Sequence, residues 1–361
     1  MHTPSTAFAD TPANSAAALA PTRPARYFPA QGGRYEVKVG LHALGTDFGN
    51  GPLDAQLCQF DRQFADYRAA KLAARAERLD KYHPRLAEAA ALERRAGRWL
   101  ADTLARERPE LFGLEQTPDG GLQLDCRLTG ERLRLDAAGE LTHCQRSEGG
   151  SADALRPDYA GVLDAVAMQA QEDVAVLAPD ARGIFRLAAL HLCLPNHWAA
   201  EDKIGGDFTA LHAPVPHMDH INRGADTVLA RIAGGAGPYV RFAWGIATDA
   251  RLNHHPRTPE YADPAEWQGR RFDPARPEAW LRVERQVLTG LGRESDGAAV
   301  LFTIRTYHYP LAEIAADPSR RAALRSALGS MSPAALTYKG LAEDRDALLA
   351  WLGDAPRART D

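Results

Sequence analysis

Cysteine is nearly absent. Cys58, Cys126, Cys144 and Cys193 are the four in 361 residues, and no two form a C-x-x-C pair. That excludes a zinc ribbon or a cysteine-ligated iron–sulfur cluster on this chain, and scattered single thiols suit a reducing compartment better than a disulfide framework. Long apolar runs are missing too: none approaches the roughly 20 residues that a bilayer-spanning helix needs. The first two dozen residues are rich in Ala, Pro, Ser and Thr, with no basic start followed by an apolar stretch. A secretory leader is therefore not predicted, residues 1–26 read as a disordered tail, and the expected location is cytoplasmic, with no membrane partner. Nor is there a surplus of basic residues. A formal charge of −4 argues against a nucleic-acid partner, because phosphate binding needs Lys and Arg concentrated on one face. Phosphate loops are also lacking: the GGAG run at 234–237 precedes a strand rather than opening a helix.

What is present is an ordinary globular balance, 45% hydrophobic and 25% charged. One ordered domain is expected over residues 27–353, followed by a short tail at 354–361. Leu57, Phe60, Phe64 and Tyr67 recur at three- and four-residue steps, which predicts a helix from Asp54 to about His83. A second helix is expected from Pro84 to about Arg106, with Trp99, Leu100 and Leu104 on its apolar side. The segments 122–128 and 131–136 alternate apolar and polar residues around Thr129–Gly130, as a hairpin does. A helix is expected from Tyr159 to Val174, then strands at 183–194, 239–247 and 298–307. Leu311 to Leu352 reads as helical with a break at Ser330–Pro333. Helices on either side of a mainly antiparallel middle make an α+β fold.

Seven of the twelve histidines lie between His191 and His255. Three chemistries fit them. His212, His217 and His220 could hold a non-haem metal, although no carboxylate stands at a recognised ligand spacing. A single imidazole could ligate haem iron. His212 is then the candidate, flanked by Ala210, Leu211, Ala213 and Val215 and stiffened by Pro214 and Pro216. Or the histidines do no chemistry: His212 is a hydrogen-bonded core residue, and His254–His255, in a segment of loop composition, are surface groups. Spacing alone does not choose among these.

Two further segments carry charge into apolar surroundings. Placed on a helix, 281–291 puts Leu281, Val283, Val287, Leu288 and Leu291 on one face with Glu284 among them, and Arg282 and Arg285 opposite. A carboxylate there must be paired, protonated or functional. In 299–307, strand alternation puts Phe302, Ile304 and Thr306 on one face and Thr303, Arg305 and Tyr307 on the other. A mid-strand guanidinium suits a haem propionate or a buried Glu equally well. Trp198 and Lys203 could frame a cofactor, or be a packed indole and a solvated ammonium.

The blocks W-x-x-E-D-K-I-G-x-x-F-T-A-L-H-A-P-V-P (198–216), L-R-V-E-R-Q-x-L (281–288) and A-V-L-F-T-I-R-T-Y (299–307) resemble signature segments of the haem-dependent oxidative N-demethylase alpha-subunit family. The resemblance covers roughly residues 27–340. It implies a PAS-like antiparallel sheet with helical additions, holding haem b. The implied activity is O2-using oxidation of a small secondary amine such as dimethylamine, with release of formaldehyde. NADPH electrons would arrive through partner reductase subunits bearing FMN and a 2Fe-2S cluster. It further implies His212 as the proximal iron ligand, and Trp198, Lys203, Arg241 and Arg305 as residues bordering the haem or its propionates. Glu284, Arg282, Arg285 and Tyr307 would form a polar catalytic network. Where the family often shows Arg-x-Asn-Trp, this chain has Ala243 between Phe242 and Trp244, which bears on the substrate's identity. A haem-PAS gas or redox sensor, binding ligand without turnover, is the alternative function; no output domain is visible in the sequence.

Overall fold

The strongest alternating segments pair with one another. The computed structural model describes residues 22–146, 158–267, 269–294 and 297–354. Its strands are β1 His42–Ala43, β2 Phe112–Gln116, β3 Leu122–Cys126, β4 Glu131–Leu135, β5 Leu141–Arg146, β6 Asp173–Pro179, β7 Phe185–His191, β8 Tyr239–Ala247, β9 Trp280–Glu294 and β10 Gly297–Pro310. They form two antiparallel sheets, a six-stranded one in the order β1-β8-β9-β10-β6-β7 and a four-stranded meander, β2-β3-β4-β5. The α+β class is as the sequence suggests. The tail expected over residues 1–26 lies mostly outside the described residues, as does that over 354–361; within the first, Ala25 is already buried.

The helices are α1 Phe64–Tyr82, α2 Ala90–Glu107, α3 Val162–Ala167, α4 Phe208–Leu211, α5 Asp219–Asn222, α6 Ala225–Ala233, α7 Leu311–Ala316, α8 Pro318–Gly329, α9 Pro333–Tyr338 and α10 Arg345–Gly353, with one further helical turn at Pro264–Trp267. The hairpin, the strand at 239–247 and the broken helical tail fall where the sequence puts them. Three expectations are corrected. Residues 281–291 are strand, not helix, because β-branched Val283, Val287 and Thr289 alternate, and the segment pairs with β8 as far as Leu288 and with β10 as far as Gly290. The helix expected over 159–174 stops at Ala167, and Asp173 opens β6. The first expected helix starts at Phe64, after a 3-10 turn at Gly51–Ala55.

One face of the large sheet is closed. Val240, Val287, Leu301, Val174 and Val176 pack with α2, α3 and the small sheet, while Leu281, Val283, Tyr307 and Tyr309 pack against the C-terminal helices. On the other face α6 lies close to β9: a Cβ on Gly290 would stand 2.3 Å from Ile232 O, so only glycine fits that crossing. Leu229, Ile232 and Ala233 cover that end of the face together with Trp198, Ile204 and Leu211. Elsewhere the face is half-buried along β8 and at Glu284 and His308, while Arg282, Gln286, Ile304 and Thr306 are buried.

Candidate active site

Strand register decides which side chains share the half-open face. Arg241 is opposite Gln286, which is opposite Ile304; Ala243, Glu284 and Thr306 form the next row, and Gly245, Arg282 and His308 the one after. Ala243 and Gly245 contribute almost no side chain beside Glu284 and Arg282, and the Lys339 stem lies over Gly245. Tyr239, Leu288 and Phe302 make its apolar end, packed with Trp198 and Leu211.

His212 follows α4 as its C-cap residue. Asp207 starts that helical turn by accepting from Ala210 N, and Phe208 O accepts from His212 Nδ1 at 2.9 Å. The Phe208 ring lies 4.1 Å from the imidazole, centroid to centroid. With Nδ1–H donating, Nε2 keeps its lone pair. Burial, then the charges of Arg241 and Lys203, push the imidazole pKa down, against the Phe208 hydrogen bond, so it is neutral at pH 7. A neutral imidazole with one nitrogen anchored and the other bare is the form that binds a metal.

The charged groups on this face are crowded. Glu284 accepts from Gln286 Nε2 at 3.0 Å and has Arg282 Nε 3.9 Å from its other oxygen. Arg282 is buried and donates to Leu194 O at 3.0 Å and Leu252 O at 3.1 Å. It also donates to His254 Nδ1 at 3.3 Å; His254 Nε2 in turn donates to Asp249 at 2.7 Å. Arg241 Nε has no hydrogen-bond partner, and its Nη2 lies 3.5 Å from Lys38 O. Lys339, just past α9, crosses Gly245 and donates to Trp244 O at 2.8 Å.

The residues singled out from sequence do not all meet here. Arg285, Arg305 and Tyr307 are on the closed face. Arg285 donates to Gln56 O and Leu57 O, Arg305 to Asp61 at 2.8 Å, and the Tyr307 hydroxyl to Gln59. The helical reading of 281–291 had grouped Arg285 with Arg282; period two separates them. Lys203 turns back to Ala210 O at 3.2 Å. His254 and His255 are buried, not surface groups: His254 N bonds Pro195 O, and His255 faces Glu201 at 3.1 Å. His217 is tied to Ser332 Oγ at 3.1 Å. Among the described residues the metal-ligand atoms that converge are those of Asp173, His191 and Cys193, not of His212, His217 and His220. Asp173 already accepts from Cys193 N and Leu194 N, and the Cys193 sulfur is 3.9 and 4.0 Å from the two nitrogens of His191, in line with neither lone pair. That trio is a structural knot.

The family model described as haem-dependent oxidative N-demethylase, alpha subunit-like, matches residues 53–349. The chain belongs to this family. The haem dependence in the N-demethylase name can be tested against the residues present, and they fit: an anchored neutral imidazole, an apolar end to the face, and an arginine whose Nε lacks a partner on the same face. Lys339, Gln286, His254 and Asp249 were not picked out from the sequence. Reading 281–291 with period two would have found Gln286; the others arrive from distant segments.

Proposed function

We propose that this chain is the haem-binding subunit of an oxidative N-demethylase, cytoplasmic and folded as one PAS-like domain. His212 Nε2 would ligate haem b. Support for the PAS-like reading comes from the strand order β7-β6-β10-β9-β8, with the helices of the second-to-third strand connection set against one face. The observation that carries the haem reading is the His212 imidazole, fixed through Nδ1 by Phe208 O and depressed in pKa by burial. Haem, when bound, supplies a redox iron that lets dioxygen be reduced.

The chain's own groups then bind and orient. Trp198, Leu288 and Phe302 exclude water from the apolar end. Glu284, held by Gln286, accepts the N–H of a small secondary ammonium such as dimethylammonium, placing its methyl group beside Ala243. Arg282, fixed by backbone carbonyls and by His254, holds the polar end rigid. The net reaction inserts one oxygen atom into a methyl C–H bond and turns the other into water, consuming two electrons and two protons. The resulting carbinolamine breaks its C–N bond to give formaldehyde and the smaller amine. Those electrons would come from NADPH through a flavin and iron–sulfur reductase subunit. The test is NADPH-dependent oxygen uptake with dimethylamine and a reductase of that kind. Formaldehyde equal to oxygen consumed supports the proposal; haem binding with no amine-stimulated uptake would replace it with the sensor reading.

A further inference from the structure

The charges on the half-open face do not cancel. Arg241 and Lys339 have Glu284 as their shared carboxylate neighbour, whereas Arg282 also has Asp173 and Asp249 nearby. Arg282 donates through its Nη atoms to Leu194 O and Leu252 O, although its Nε makes no hydrogen bond. Arg241 and Lys339 are not so placed. Arg241 Nε is unpartnered, and Lys339 reaches one carbonyl, Trp244 O. Its aliphatic stem lies 3.8 Å from where a Gly245 side chain would begin, on the same face as Arg241. Two neighbouring cations sharing one carboxylate in a half-buried site are costly until further anions arrive.

We propose that Arg241 and Lys339 form a clamp for two carboxylates, the propionates of the haem that His212 ligates, and that their engagement leaves the charge of Glu284 for the substrate ammonium. This rests on the haem reading above. Burial pushes the Lys339 amine down to about 8, opposed by Glu284 and reinforced by Arg241; Tyr35 and Tyr338 also border the amine. That is the behaviour of an ammonium still lacking its anion. A carboxylate-bearing amine, such as an N-methyl amino acid, presents the same chemistry from a different source.

The discriminating probe is haem dimethyl ester, which keeps the iron and macrocycle but has no propionate charge. Apo-protein is titrated with haem and with the ester, following the Soret band, for the wild type, Lys339→Met and Arg241→Met. The wild type is expected to prefer haem. Each variant should lose about tenfold of that preference, the size of one charge-assisted hydrogen bond. Lys339→Arg should restore it. Because the readout is a ratio on one protein, a general loss of fold cancels. An unchanged preference in both variants overturns the clamp. So does equal binding of haem and ester by the wild type, or a Lys339-dependent spectral response to N-methylglycine without any ester discrimination; each leaves the His212 reading standing. A wild type that binds neither macrocycle removes that reading and the clamp together.

Discussion

The two faces of the large sheet carry similar side chains and treat them differently. On the closed face Arg305 donates to Asp61, lies 3.8 Å from the Tyr67 ring centre, and shares its surroundings with Tyr307, while Lys71 donates to Ala167 O, Ala170 O and Glu172 O. On the half-open face Arg241 and Lys339 share a single carboxylate. Alternation alone put cations on both sides of β8–β10; what separates the two is the ion pair. Arg305 has Asp61 against its Nη2 even though its Nε and Nη1 make no hydrogen bond, whereas among the described residues no carboxylate stands within ion-pair distance of Arg241 or Lys339. A buried cation paired inside the protein holds the fold. One without such a pair waits for a ligand.

The sharpest way to break this contrast is to remove Arg305. Arg305→Met leaves Asp61 buried without its guanidinium and should cost about 3–5 kcal/mol of stability, read by urea denaturation. A loss below about 1 kcal/mol would mean the closed face is not structural. Gly290→Ala comes next. Its new methyl group meets Ile232 O, so α6 must move off β9, at a cost of about 1–3 kcal/mol with weakened haem retention; an unchanged melting temperature and retention would show that the crossing yields freely.

A smaller effect is expected from Lys339, and its sign follows from linkage. Its folded pKa, about 8, is below the ordinary value of 10.5. Burial of the charged form therefore opposes folding below pH 8, and this penalty fades as pH rises from about 8 to about 10.5. Apo Lys339→Met should thus be more stable than the wild type at pH 7, by on the order of 1 kcal/mol, and the gap should close by pH 10.5. A gap independent of pH would assign Lys339 no strained charge. Smallest of all should be the stability change in apo Arg241→Met, within about 0.5 kcal/mol; a loss like that of Arg305→Met would erase the difference between the faces.

Local pattern reached the elements it can reach. Tyr239–Ala247 was legible because alternating aromatic and β-branched residues admit one period, and the break expected at Ser330–Pro333 falls where Ser332 caps α9. Residues 281–291 misled because Leu281, Val283, Val287 and Leu291 satisfy both a helical stripe and an alternating one; only pairing with two neighbours settles it. β6 hid because QED before a short apolar run looks helical. The burial of His254 and His255 depends on Pro195, Glu201 and Asp249, and loop composition says nothing about what covers a loop. Lys339 was beyond reach for the same reason: its place beside Glu284 is set by the docking of α9, more than fifty residues later in the chain.

The most direct test of the central claim is the absorption spectrum of haem-reconstituted wild type beside His212→Ala, with and without added imidazole. The expected result is a Soret band in the wild type that is lost or shifted in the variant and restored by imidazole occupying the vacated position. Identical spectra for the two proteins would contradict it and hand the iron to another side chain.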